Sequence, residues 1–158
     1  MKPALLITSD GHVFRGSAYG ASGFVSGLVE IDSSVSDYQK SLEAATSSGK
    51  VVVFTTPHIG NVGVSANPAL VASGIVVREA ALRASNWQSQ GELETALEDA
   101  GVVGIQEVDT RALVKLAIRD ESLRVGIFSG GELPEVDIDA PLPKSIVEQM
   151  CDRVREAK

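Results

Sequence analysis

The chain has 158 residues, 44% of them hydrophobic and 22% charged, with a net charge of -7 and a pI near 4.8. That length fits one compact globular domain, while the acidity argues against nucleic acid, which needs a basic footprint, and against an anionic membrane surface. Aromatic residues make up only 4% and Cys151 is the one cysteine, so the core must come from Val, Leu, Ile and Ala, with no internal disulfide and no cysteine-rich metal site.

The opening MKPALLITSDGHVF has one Lys and only the short apolar stretch ALLI, too little for a signal-peptide core or a membrane span. The expectation is a cytoplasmic protein without membrane contact. Ala4 to Thr8 form a continuous apolar run, and Asp10-Gly11 before Val13 and Phe14 predicts a tight hairpin with a two-residue turn. Gly16, Gly20, Gly23 and Gly27 mark turns or close backbone approach ahead of a strand over Leu28 to Ile31. Ser36 and Gln39 form a capping box for a helix with Val35, Tyr38, Leu42 and Ala45 on one face and Gly49 at its stop.

Val51 to Thr55 predicts a fully buried strand, and GIVVRE, residues 74–79, a second. Ser89 and Glu92 open a further helix carrying Leu93, Ala96, Leu97 and Ala100, ended by Gly101. VVGI at 102–105 is a strand. Asp109 then caps a helix whose apolar face is Ala112, Leu113, Leu116 and Ala117. VGIF at 125–128 is the last strand. Strands alternating with helix-period segments place the chain in the α/β class. The expected division is a domain over 1–130, a Pro- and acid-rich linker over 131–144, and a C-terminal helix over 145–158 with Ser145 and Glu148 as capping box.

Few residues offer chemistry. TPHIGNVG, residues 56–63, follows a buried strand and is open to two readings: backbone N–H groups cradling an anion, or a sharp exit in which Pro57 leaves the sheet and Gly60, Asn61 and Gly63 form a tight turn. It matches neither common phosphate-loop pattern, which favours the structural or interface reading. His58 and His12 are the only histidines and lack the further ligands a metal needs, so no metal or other cofactor is expected. Only Thr55 and Thr56 neighbour His58 as nucleophiles. Cys151 falls mid-helix on the face of Val147 and Val154 and reads as a packing residue. Asp137 and Asp139 lack the rest of a calcium loop, and Trp87, the lone tryptophan, reads as a satellite core contact. From residues alone this is an α/β domain without its own active site.

Taken in order, ALLITSDGHVFRGSAYGASG, VVVFTTPHIGNVG, SGIVVREAALRASNW, GVVGIQEVDTRAL and RVGIFSG resemble the amino-terminal domain of the small (glutaminase) subunit of carbamoyl-phosphate synthetase, across nearly all of residues 4–130. The resemblance implies a single layered β/β/α domain of the swivelling type, with mixed sheets. It implies a complex that makes carbamoyl phosphate from glutamine, bicarbonate and ATP for pyrimidine and arginine synthesis, with a large subunit and a class I glutaminase domain as partners. The glutaminase nucleophile belongs to that other domain, and Cys151 does not match it. The family stretch FNTxMTGYQExLTDPSY reads IDSSVSDYQKSLEAATSS here, at 31–48: Tyr38 and Gln39 remain, Ala44 and Ala45 stand for Asp-Pro, and Thr46 takes the place of the serine that approaches the glutamine site.

Three functions follow in order of preference. The first is a non-catalytic interface domain of that synthetase, inactive alone, with Pro57, His58, Gly60, Asn61 and Gly63 as structural and interface loop, Thr46 beside the glutamine site and Asp109 as helix cap. The second is a diverged stand-alone binding or regulatory module. The third, far behind, is an enzyme using His58 on a small anionic ligand.

Overall fold

Residues Pro3–Thr8 form strand β1, and its alternate side chains go to two different cores. Ala4 and Leu6 join an interior cluster with Val53, Ile105, Val125 and Ile127, while Leu5 and Ile7 join an outer one with Phe128, Met150 and Val154. A strand buried on both faces has no polar side, which is why ALLI is unbroken in the sequence. The computed structural model describes residues 2–32, 49–54, 73–78, 97–137 and 140–156. After β1 come β2 (Val13–Gly20), β3 (Phe24–Asp32), β4 (Val51–Phe54), β5 (Gly74–Val76), β6 (Val103–Gln106), helix α1 (Thr110–Arg119), β7 (Arg124–Ser129), a short 3-10 turn (Gly130–Glu132) and helix α2 (Lys144–Glu156).

The strands close into a barrel in the order β1-β2-β6-β5-β4-β3-β7. β3, β4, β5 and β6 run parallel, and β1, β2 and β7 supply the antiparallel seams. This is a strand-rich mixed α/β domain. β4, VVVF, has every residue buried between two parallel neighbours, the environment its continuous apolar run predicts.

Several boundaries differ from expectation for identifiable reasons. The β1–β2 turn is a three-residue loop, Ser9-Asp10-Gly11, closed by the Thr8 N–H donating to His12 O at 3.0 Å. Gly11 sits at φ 97, the left-handed position that three-residue hairpins require. β3 starts at Phe24, four residues before Leu28, because Gly27 lies inside the strand and passes close to the Gly49 carbonyl. β5 is shorter than GIVVRE, although Val77 N–H still donates to Ile105 O at 3.0 Å. α2 begins at Lys144, so Ser145 is already helical; the Pro143 carbonyl accepts from Ile146 and Val147 instead. Residues 97–100 are helical and Gly101 follows at φ 73. The start of that helix at Ser89, and the Ser36 to Ala45 segment, lie outside the described residues.

α2 packs on the outside of β1 and β7, burying Met150, Cys151 and Val154. Polar contacts fasten it along its length. Arg153 lies 4.3 Å over the Phe24 ring and pairs with Glu132 at 2.8 Å, Arg124 Nε donates to Val154 O at 3.2 Å, and Arg155 Nε donates to Ser9 O at 2.9 Å. The described part of the preceding segment follows the barrel wall, with Leu133 and Leu142 against the outer cluster and Arg15 donating to Ala140 O at 2.9 Å. Among the described residues no helix is long and apolar enough to cross a membrane.

Candidate functional site

Because β3 to β6 run in one direction, the chain leaves all four at the same end of the barrel, the place where α/β sheets usually hold ligands. Thr46 follows β3, and Pro57, His58, Gly60, Asn61 and Gly63 follow β4; all six lie outside the described residues, as does Trp87 after β5.

After β6 the chain is described. Glu107 adopts φ 69, uncommon for a residue with a side chain, and is held by its N–H to Arg78 O at 2.8 Å and by Ser17 Oγ donating to its Oε2 at 2.7 Å. Two residues on, the Asp109 carboxylate accepts from Ala112 N–H at 3.2 Å at the N-cap of α1. Val108, Leu113 and Leu123 belong to the interior cluster, so α1 is seated over this end of the barrel. Both carboxylates here are already engaged, one in holding a turn and the other in holding a helix start.

A second group, not singled out in the sequence, forms at the β1–β2 hairpin. The Thr8 hydroxyl donates to Asp10 Oδ1, His12 Nδ1 lies 2.8 Å from the same oxygen, and His12 N–H donates to Thr8 Oγ1 at 2.9 Å. The residue types look like those of a nucleophilic triad, but the order is wrong. The carboxylate sits between hydroxyl and imidazole, so the imidazole cannot take the hydroxyl proton. The only sequence signal was the spacing of Thr8, Asp10 and His12 at every second residue.

Beside this hairpin a cleft of about 520 Å³ runs along α2, lined by Asp10, Lys144, Glu148, Cys151, Asp152 and Arg155 among others. Cys151 is the buried thiol of that lining. Its Sγ donates to Thr8 O at 3.4 Å, and burial, reinforced by Asp152, Asp10 and Glu148, pushes the thiol above its ordinary value, with Arg155 offsetting only part. No three His, Cys, Asp or Glu side chains among the described residues gather as a metal site.

Asp10 carries a pH consequence. Burial would raise its carboxyl, but the hydrogen bonds from Thr8 and His12 and the charge of His12 outweigh this and hold it below the usual 3.8. A depressed folded-state value adds stability above the unfolded value, and that stability is lost as pH falls through the folded one. The melting temperature of the wild type should therefore exceed that of Asp10→Asn near neutrality, and the gap should shrink below about pH 4. A gap independent of pH would show that the carboxylate charge contributes nothing.

Against known proteins, the family described as carbamoyl-phosphate synthase small chain, CPSase domain, matches residues 6–128. A carbamoyl phosphate synthase small chain from Streptomyces avermitilis is 42% identical over 137 residues, covering 84% of this chain and 36% of its own. The one from Syntrophotalea carbinolica is 41% identical over 152 residues, covering 92% and 38%, and that of Pectobacterium atrosepticum is 38% identical over 139, covering 85% and 36%. The chain thus spans about a third of the length of the curated relatives it matches. An aminopeptidase from Aneurinibacillus sp. strain AM-1 overlaps at a TM-score of 0.48 and 14% identity, covering 83% of this chain and 32% of its own, too loosely to bear on the fold.

Proposed function

This chain belongs to the carbamoyl-phosphate synthase small-chain family, matching its CPSase domain, and from that premise we propose that it is a non-catalytic interface domain of glutamine-dependent carbamoyl-phosphate synthetase. In this reading it works in the cytoplasm, in the synthesis of carbamoyl phosphate for pyrimidines and arginine. It contacts a large subunit and a class I glutaminase domain, and it has no activity alone. In this reading the domain belongs to the layered β/β/α swivelling type, of which the mixed-sheet barrel is the described part.

The observation that carries the reading is the family match over residues 6–128. Among the described residues, Glu107 and Asp109 hold a turn and a helix start, the buried Cys151 Sγ donates to Thr8 O, and Asp10 lies between the Thr8 hydroxyl and the His12 ring. The Pro57 to Gly63 loop, issuing from the carboxyl end of β4, is then an interface loop with His58 in it. Thr46 stands beside the glutamine site of the partner domain.

The test is co-purification with the large synthetase subunit and a separately supplied glutaminase domain, read by size exclusion with light scattering. A stable complex that restores glutamine-dependent carbamoyl phosphate formation is expected. A monodisperse chain that ignores both partners would overturn the reading and leave a diverged stand-alone module in its place.

A further inference from the structure

The face of α1 turned away from the barrel carries Arg111, Lys115, Ile118 and Arg119, which share an arc of about 100° at 3.6 residues per turn. All four are exposed, and Ile118, at 70%, is the most exposed of the large hydrophobic residues described. The opposite face, centred on Leu113, is the one that seats on the interior cluster. α1, TRALVKLAIR, has three positive side chains and no acidic one, in a chain of net charge -7.

Arg111 and Lys115, and Lys115 and Arg119, are like charges four apart, a spacing that costs an isolated helix about 0.2–0.5 kcal/mol per pair. The described ion pairs include none of the three. Of the acids flanking the helix, Asp109 accepts from Ala112 N–H as its N-cap, and Asp120 gives its carboxylate to Ser122 N–H and Oγ–H at 2.9 and 2.6 Å. A solvated helix face mixes its signs; one sign arranged around an exposed isoleucine matches a contact surface, where arginine is enriched and charge complementarity steers the approach.

We propose that this face of α1 docks a carboxylate-rich surface on a protein partner, with Arg111, Lys115 and Arg119 pairing to acids around an apolar contact made by Ile118. The inference rests on the reading above that the chain works inside a synthetase assembly, and it names the surface used. A helix of this length is about 15 Å long, so it supplies the steering part of a larger interface.

The experiment measures binding of the full chain, wild type and Arg111→Glu/Lys115→Glu, to the purified large subunit and to the glutaminase domain separately, at low and at high salt. Ile118→Ser is measured alongside. Because these side chains are exposed, all variants should keep the wild-type melting temperature. The expected result is a Kd raised at least about tenfold by the double reversal toward one partner, with a flatter salt dependence, and several-fold by Ile118→Ser. Equal affinity and equal salt dependence in wild type and double variant would overturn the docking surface while leaving the proposed function standing. Wild type that binds neither partner would overturn both. Self-association of the wild type, or binding to phosphatidylserine vesicles or poly(U), abolished by the double reversal, would assign the face to another occupant and overturn the proposal.

Discussion

Gly104→Val should prevent the barrel from closing. Gly104 lies on β6 directly opposite Tyr19 on β2, and a Cβ built on it would fall 2.2 Å from the Tyr19 carbonyl oxygen and 2.7 Å from Ile75 Cγ2. The first obstacle is backbone, held by the ladder that joins β2 to β6, so no rotamer change relieves it. The mirror position has the same crowding: a Cβ on Gly16 would fall 2.2 Å from the Gln106 carbonyl oxygen. Overpacking a core with a few methyl groups costs about 1–3 kcal/mol, and more where backbone must move. Separating β2 from β6 would also turn a closed barrel into a sheet with two exposed edges. We expect a loss above about 3 kcal/mol from a total stability on the order of 5–15, seen as a large drop in the urea midpoint or as insoluble protein. Gly131→Ala is the control: nothing lies within 4 Å of its Cβ, so it should stay within about 0.5 kcal/mol of wild type. A Gly104→Val protein melting alongside that control would refute the account of closure.

The same glycines explain how much of the fold was legible in the sequence. β1, β4 and β7 were readable because both of their faces are buried, which leaves long apolar runs. Closure was not. It depends on Gly16 and Gly104 letting two strands approach, and a glycine in a sequence signals equally a turn, a bulge or a close contact. The Thr8–Asp10–His12 group was hidden for a related reason: SDGH has the composition of any turn, and only the side-chain register of the hairpin shows three polar groups converging. Glu107 at φ 69 had no signal at all, since nothing in QEVD marks a left-handed residue. The cap at Asp109 needed only its own sequence neighbours, because a cap is a local contact between residues three apart. The basic face of α1 was present in the letters TRALVKLAIR, but it gained meaning only once the barrel fixed which side was buried.

Phe128→Ala should release α2 while leaving the barrel closed. Phe128 is fully buried on β7, its ring 4.6 Å from that of Phe24 and 5.4 Å from the Arg153 guanidinium, in the outer cluster with Leu5, Ile7, Met150, Cys151 and Val154. Truncating a buried phenylalanine costs about 3–5 kcal/mol, and the loss here falls on the contact between helix and barrel. The interior cluster has a separate membership, with Leu6, Val53, Ile105, Val125 and Ile127 facing the other way. α2 lies close to its platform: Val154 Cγ2 is 2.5 Å from where a Gly126 Cβ would stand, so the helix occupies the notch that glycine leaves. It also lies wholly beyond residues 6–128, the span of the family match. If α2 is an addition that caps an already closed barrel, hydrogen exchange in Phe128→Ala should speed for the amides of Met150 to Val154 and change little for Val53 and Ile105. Equal acceleration in both sets would mean that helix and barrel fold as one unit. The domain would then need α2 as much as it needs any of its seven described strands.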